Sequence, residues 1–189
     1  MSDFVVGITG ASGSIYGVRL VEGLLKNGYG VDLVITSAGE RVMAGELPGF
    51  DFKKDFGKEG ARLRVWENDD YSAAFLSGSR APRTVIIIPC SMGTLGALAN
   101  GISSNLLERA ADVVLKEKKQ LILVPRETPL NLIHLENMAK LARAGADILP
   151  AMPAFYHSPK DVDDLVNFIV GKVFDLLGIE HHLFKRWQT

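Results

Sequence analysis

Glycine and hydroxyl-bearing residues follow the first apolar run of the chain, in the segment Gly7–Ser14 (GITGASGS). Glycines let the backbone approach an anion closely, and a helix N-terminus points free N–H groups at it. The spacing matches neither the GxGxxG fingerprint nor a Walker A loop, which requires Gly-Lys-Ser/Thr. The segment predicts a phosphate-binding turn, and a tight strand-to-helix turn with a capping serine is the alternative.

Two further loops with hydroxyl groups follow apolar runs, Thr36-Ser37 and Pro89–Thr94 (PCSMGT). Parallel sheets bind ligands beyond the carboxyl ends of their strands, so three such loops indicate a cradle for a polar ring system and its phosphate. Helix capping by Ser91 or Thr94 is the alternative. Cys90 is the single cysteine, which excludes an internal disulfide, and we expect a buried structural thiol.

Charged residues suited to anion binding lie farther along the chain. Arg109, Asp112 and Lys116 are spaced i, i+3 and i+7, which places them on one helix face. Arg126-Glu127 follows another apolar run, where a guanidinium can hold a phosphate bidentately and a desolvated carboxylate can act as acid or base. A solvated charged stripe and a surface ion pair are the respective alternatives.

Two candidates lie in the last third of the chain. Tyr156 ends a loop stiffened by two prolines and is either a phosphate-binding phenol or a packed core ring. Lys172 falls on the apolar stripe of the last helix, where it either snorkels outward or reaches a buried anion. No set of His, Cys, Asp and Glu has metal-ligand spacing, so we expect a site without metal.

The elements that must position these residues alternate strand and helix. Continuous apolar runs predict five buried parallel strands: Phe4–Ile8, Val31–Ile35, Thr84–Ile88, Leu121–Val124 and Asp147–Leu149. Helical periodicity falls between and after them: 15–26, 38–46, one or two helices within 95–118, 130–144 and 159–177. This order predicts a single α/β domain over residues 1–189, a doubly wound, Rossmann-like (flavodoxin-like) parallel sheet with helices on both faces.

The remaining segments and the composition narrow the function classes. The stretch 47–60 is expected to be a loop insertion, and the aromatic tail 178–189 is expected to dock at a subunit interface. A net charge of −1 and a pI near 6.4 argue against a nucleic-acid partner. No apolar stretch is long enough to cross a bilayer, and the first residues lack the basic region of a signal peptide. We therefore expect a cytoplasmic protein.

Four segments together make the chain recognisable: GITGASGSIYGVRL, PCSMGTLGALANGISSNLLERAADVVLKEKK, LILVPRETPLNLIHLENM and PAFYHSPKDVDDLVNFIVGKV. They resemble the UbiX-type flavin prenyltransferases over nearly the whole chain. The resemblance implies transfer of a dimethylallyl group from dimethylallyl monophosphate to N5 and C6 of reduced FMN, without a metal. It also implies a homododecamer with sites where subunits meet, and a product, prenylated FMN, used by a partner UbiD-type decarboxylase.

The resemblance assigns roles to individual residues. For FMN binding it implies Gly10, Ala11, Ser12, Ser37, Ser91, Met92, Gly93, Thr94 and Arg126. For catalysis it implies Glu46, Tyr71, Arg109, Lys116 and Glu127, and for the prenyl phosphate it implies Tyr156 and Lys172 with Lys116 and Arg109. Lys172 stands where many relatives have arginine, and Tyr71 where some have tryptophan.

Two other flavin-dependent functions compete with this interpretation. A flavin-dependent cysteine decarboxylase relies on a catalytic histidine and a PxMN-type loop. In this chain the corresponding loop, Pro150–Pro153 (PAMP), has proline in place of asparagine. The first half of the chain also has no histidine. A flavodoxin-like electron carrier needs no cluster of buried cations beside its FMN. Prenyl transfer modifies the flavin covalently, whereas neither of these two functions does, so analysis of the flavin distinguishes them.

Overall fold

Six parallel strands form one sheet in the computed structural model, which describes residues 2–57 and 62–188. In chain order the strands are β1 (Phe4–Ile8), β2 (Val31–Ile35), β3 (Leu63–Trp66), β4 (Thr84–Cys90), β5 (Gln120–Pro125) and β6 (Asp147–Ile148). The spatial order β3-β2-β1-β4-β5-β6 is that of a doubly wound Rossmann-like sheet, so the predicted fold class is confirmed. In such a sheet the strand order reverses between β1 and β4, and ligands bind at that point.

Seven α-helices lie in the described part of the chain. They are α1 (Ser14–Lys26), α2 (Ser37–Glu46), α3 (Phe52–Asp55), α4 (Met92–Ala99), α5 (Leu106–Lys116), α6 (Leu132–Arg143) and α7 (Val162–Leu177). Side chains that accept from backbone N–H groups fix where most of them begin. For example, Ser91 caps α4, and Asp161 caps α7. The last helix therefore begins three residues after the predicted start at position 159.

The two faces of the sheet carry separate cores, because successive strand residues point to opposite sides. Phe4, Val6 and Ile8 of β1 pack with residues of α1 and α7. Val5 lies in the other core, with residues of α4, α5 and α6. Helices therefore cover both faces, as the continuous apolar strands predict, and all carboxyl ends of the strands meet at one edge.

The sequence analysis did not predict one of the six strands, β3. β3 pairs with β2 at the edge of the sheet. It follows the stretch 47–60 that we expected to be a loop; residues 58–60 of that stretch lie outside the described residues, and its described part contains the short helix α3. Its residues read half-buried, exposed, half-buried, half-buried, so it lacks the continuous apolar run used to find the others. An edge strand needs less apolar surface than a central one, which is why Arg64 is tolerated in it.

The C-terminal tail packs against α7 of its own chain. The ring of Phe184 lies 4.8 Å from that of Phe168, and a Cβ atom at Gly171 would come within 2.6 Å of Phe184. Trp187 contacts Tyr156 edge to face, with ring centroids 5.3 Å apart. The tail thus adds an aromatic cover to α7, and its expected role at a subunit interface stays a prediction.

Candidate active site

The loop between β1 and α1 holds a carboxylate of the protein itself. The backbone N–H groups of Gly13 and Ser14 donate to the carboxylate of Glu46, at 3.0 and 2.8 Å. Gly13 has a φ of 107°, a left-handed conformation that favours glycine. The helix N-terminus predicted to bind phosphate is therefore occupied by a negative side chain from the end of α2.

The hydrogen bonds to Glu46 also set its ionisation. Burial raises the pKa of Glu46, but hydrogen bonds from the Ser12 hydroxyl and from the Ser14 and Gly13 amides outweigh this and hold the pKa below the usual value of glutamate. The carboxylate is therefore ionised at neutral pH. Spacing alone gave no reason to pair residue 46 with the first loop, and only the family resemblance pointed to it.

Gly10 brings the β1 loop against the start of α2. A Cβ atom at Gly10 would come within 2.6 Å of the Cβ of Ala38, so a larger residue would push the two segments apart. Thr36 caps α2 by accepting from the N–H of Gly39 at 3.0 Å, which leaves Ser37 exposed in the first helical turn. The structure thus brings Gly10 and Ser37 to neighbouring loops, as the sequence predicts for strand ends.

Thr9 ties β1 to β4 at the point where the strand order reverses. Its hydroxyl donates to the carbonyl of Pro89 at 2.8 Å and accepts from the N–H of Ser91 at 2.8 Å. The residue is fully buried. This contact fixes the start of the Ser91–Thr94 loop, in which the Ser91 hydroxyl in turn accepts from the Thr94 N–H at 3.3 Å. Sequence analysis did not single out Thr9, although a hydroxyl at the end of an apolar run was the available indication.

Cys90, beside this contact, is a buried thiol, as expected. Burial raises its pKa to about 12, with a smaller opposing effect from a backbone hydrogen bond of Leu95. The thiolate is the reactive form of cysteine, so Cys90 is not a nucleophile near neutral pH.

Arg126 follows the last residue of β5 and lies at the same edge of the sheet. Its Nε donates to the carbonyl of Ser12 at 3.0 Å. Burial raises the pKa of Tyr16, and the positive charge of Arg126 partly offsets this rise. Glu127 is exposed and accepts from the N–H of Thr128 at 3.0 Å. We call the residues joined at this edge the glycine-loop cluster: Gly10, Ala11, Ser12, Ser37, Glu46, Ser91, Met92, Gly93, Thr94 and Arg126.

The predicted cations of α5 lie apart from this cluster. Arg109 pairs with Asp112 at 2.8 Å, and Lys116 pairs with Glu117 at 2.7 Å. Because α5 leads into the first residue of β5, Lys116 lies at the opposite edge of the sheet from the strands' carboxyl ends. Tyr71 is 52% exposed, in the turn after β3.

Tyr156 and Lys172 form a third group next to the tail. The Nζ of Lys172 lies 3.1 Å from the carboxylate of Asp175, and 46% of its side chain is exposed, so the lysine points outward. Tyr156 is also exposed, between Trp187 and Phe168. Within the described residues, no hydrogen bond or ion pair links this group, the α5 cations or Tyr71 to the glycine-loop cluster.

Within residues 2–57 and 62–188, no three or more His, Cys, Asp and Glu side chains are grouped so that they could hold a metal ion. None of the helices in these residues has the length and apolar character needed to cross a membrane.

Comparison with known proteins gives full-length matches. A family model described as Flavoprotein matches residues 2–174. The flavin prenyltransferase UbiX of Halalkalibacterium halodurans is 56% identical over 190 residues, covering 97% of this chain and 92% of the relative.

Solved structures also match over nearly the whole chain. A dodecameric FMN-dependent UbiX-like decarboxylase from Escherichia coli O157:H7 is 41% identical with a TM-score of 0.91, covering 98% of this chain and 99% of that one. AnUbiX (PadA1), solved in complex with FMN and dimethylallyl pyrophosphate, is 35% identical with a TM-score of 0.90, covering 98% and 97%.

Proposed function

The chain belongs to the UbiX flavin prenyltransferases within the Flavoprotein family, and from this premise we propose that it transfers a dimethylallyl group from dimethylallyl monophosphate to N5 and C6 of reduced FMN. The observation that carries the proposal is the glycine-loop cluster, where hydroxyl groups, one guanidinium and one carboxylate meet at the point of strand-order reversal. Such a place suits a flavin, which is polar along its edges and anionic at its phosphate.

The acceptor site fits FMN, with one revision of where its phosphate lies. Gly10 lets the β1 loop lie against the start of α2, and Ser37, Ser91, Thr94 and Arg126 supply donors. The amides of Gly13 and Ser14 already hold the Glu46 carboxylate, and a phosphate there would have to displace it against charge repulsion. We therefore place the flavin phosphate on the hydroxyl and guanidinium donors, and Glu46 beside the reacting ring.

The donor site requires more than one copy of the chain. Arg109, Lys116 and Lys172 are all exposed enough to meet an anion, but they lie on helices that do not converge. We propose that neighbouring copies in a homododecamer bring Tyr156 and Lys172 together with the α5 cations. The dodecameric relative supports this arrangement.

These cations promote departure of the phosphate. As the allylic C–O bond breaks, the phosphate leaves with the bonding electrons, and Lys116, Lys172 and Arg109 stabilise its growing negative charge. The face of an aromatic ring such as Tyr71 stabilises positive charge on the allyl group. Bonds form from the prenyl group to N5 and to C6, and each displaces a proton. One of these protons adds to the prenyl alkene carbon and the other leaves with the phosphate.

The proton from C6 needs an acceptor. Glu46, Glu127 and the departing phosphate are the three candidates, and Glu46 alone of the two carboxylates belongs to the glycine-loop cluster. The product, prenylated FMN, would then pass to a UbiD-type decarboxylase.

One experiment tests the proposal directly. The protein is incubated anaerobically with reduced FMN and dimethylallyl monophosphate, and in parallel with the diphosphate, and the released flavin is analysed by mass spectrometry. We expect a flavin heavier by one prenyl unit with the monophosphate. Unmodified flavin in both arms contradicts prenyl transfer. A C-terminal cysteine peptide in a third arm tests the decarboxylase alternative.

A further inference from the structure

Asp175 on α7 is surrounded by basic groups from its own helix and from the tail. Its Oδ1 accepts from Arg186 Nη2 at 2.6 Å, and its Oδ2 accepts from Arg186 Nη1 at 3.2 Å and from Lys172 Nζ at 3.1 Å. His181 Nε2 lies 3.1 Å from Oδ1, and because His181 Nδ1 accepts from the Leu183 N–H, Nε2 is the donor. Lys172 and Arg186 thus share one carboxylate oxygen.

This shared oxygen places two full positive charges close together. The nitrogens of Lys172 and Arg186 lie no farther apart than two hydrogen-bond lengths, which is a separation that one phosphate can span. Burial raises the pKa of Asp175, but hydrogen bonds from Arg186, Lys172 and His181 outweigh it and hold the pKa well below the usual value of aspartate. The carboxylate therefore stays ionised and keeps both cations in place.

Arg186 also faces Tyr156. A cavity of about 400 Å³ is lined by Tyr156, His157, Ser158, Lys185, Arg186, Trp187 and Gln188. Arg186 and Lys185 bring two positive charges to this cavity, and Lys172 adjoins it through Asp175. Lys172 and Arg186 both pair with the single carboxylate of Asp175, and Lys185 adds a further positive charge at the cavity, so the region suits an anionic ligand.

We propose that Arg186 binds the phosphate of the prenyl donor together with Lys172 and Tyr156, and that Asp175 positions the two cations. This inference rests on the proposed function, because it assigns a further residue to the same donor site. A guanidinium has five N–H donors in a planar fork, so it can hold a carboxylate and a phosphate at once. Arginine at 186 would thereby supply the fork that Lys172 lacks.

A purely structural role for Arg186 is less consistent with the contacts. The tail has anchors besides Arg186, since Phe184 packs on Phe168 and against Gly171, and His181 contacts Asp175. Arg186 is exposed over half of its side chain. Exposed ion pairs contribute little to stability, so removing Arg186 should leave the fold intact.

The test compares three variants with the wild type in prenyl transfer at varied dimethylallyl monophosphate. Arg186→Met removes the charge, Arg186→Lys keeps it without the fork, and Arg143→Met is the matched control at an exposed arginine of α6. We expect KM for the donor to rise about tenfold or more in Arg186→Met and by less in Arg186→Lys. We expect kcat at saturating donor, FMN affinity and Tm to change little, and Arg143→Met to match the wild type.

Two results would overturn the assignment. One is a wild-type KM in Arg186→Met. The other is a parallel loss of Tm, FMN affinity and activity in both Arg186 variants, which would show that Arg186 only holds the tail. Prenyl transfer by the wild type is measured in the same series, so its absence would count against the proposed function and not against the role of Arg186 alone.

Discussion

The glycine-loop cluster and the tail cluster around Asp175 are built in opposite ways. The first is fixed by buried contacts, with Thr9 fully enclosed between Pro89 and Ser91. The second is fixed by exposed ion pairs, and nearly half of the Lys172 side chain meets solvent. If the proposed function holds, a single chain preorganises the flavin site, whereas the phosphate site becomes ordered only when the ligand and neighbouring copies bind.

The sharpest test of this contrast is Lys172→Ala. A lost charge-assisted contact of about 1.5–3 kcal/mol corresponds to a decrease of roughly 10–100-fold in kcat/KM for dimethylallyl monophosphate. FMN affinity, followed by flavin fluorescence, should stay at the wild-type value, because Lys172 makes no contact with the glycine-loop cluster. Lys140→Ala, whose Nζ bonds to Asn100 on the opposite face of the sheet, is the matched control. Weak FMN binding with normal donor use would reverse the two assignments.

On the flavin side, Thr9→Val is expected to show the opposite pattern. Pro89 keeps a hydrogen bond from the Thr9 N–H, but the half-buried Ser91 N–H loses its acceptor, which costs about 1–3 kcal/mol of unfolding free energy. Since the Ser91–Thr94 loop starts at this contact, we expect FMN affinity to fall about tenfold. Denaturant unfolding and flavin titration measure the two effects.

Thr84→Val provides the comparison for that variant. Thr84 is equally buried and bonds to Gln120 at 3.2 Å, but at the opposite edge of the sheet. The Thr84→Val substitution should lower the unfolding free energy while leaving FMN affinity unchanged. Equal losses of FMN affinity in both variants would show that FMN affinity depends on the stability of the whole fold and not on the particular contact that Thr9 makes.

The smallest effect concerns pH. The pKa of Glu46 is lowered in the folded state, so its contribution to stability is complete above the usual glutamate pKa of about 4.3 and is lost as the pH falls through the folded value. The difference in unfolding free energy between the wild type and Glu46→Gln should therefore be constant near neutrality and shrink below about pH 4. A difference that grows on acidification would show that the amides of α1 prefer a neutral side chain. Glu136→Gln, on the exposed face of α6, should show no such trend.

The sequence predicts the buried central strands better than the exposed edge strand. The central strands are continuous apolar runs, so β1, β2, β4 and β5 were located within about two residues at each end, which is the usual uncertainty of element boundaries. The edge strand β3, with Arg64 in its middle, has no such run and was missed. Loops at strand ends could be placed at one edge because parallel topology requires it.

Long-range side-chain contacts were not predictable in the same way. The reach of Glu46 back to Gly13 spans 33 positions, and the sharing of Asp175 by Lys172 and Arg186 joins a helix to the tail. Neither has a local spacing rule, because each depends on how separate elements pack. The residue types nevertheless indicated the proposed chemistry: glycine and hydroxyl groups at the strand ends, and lysine or arginine where an anion is expected.

The burial of Cys90 bears on how the protein withstands oxygen. Reduced flavins yield peroxide when they meet dioxygen, and peroxide attacks thiolates rather than thiols. Cys90 immediately precedes the Ser91–Thr94 loop, but it is fully enclosed and remains protonated with a pKa of about 12. The only sulfhydryl group of the chain is thus protected from peroxide both by burial and by protonation.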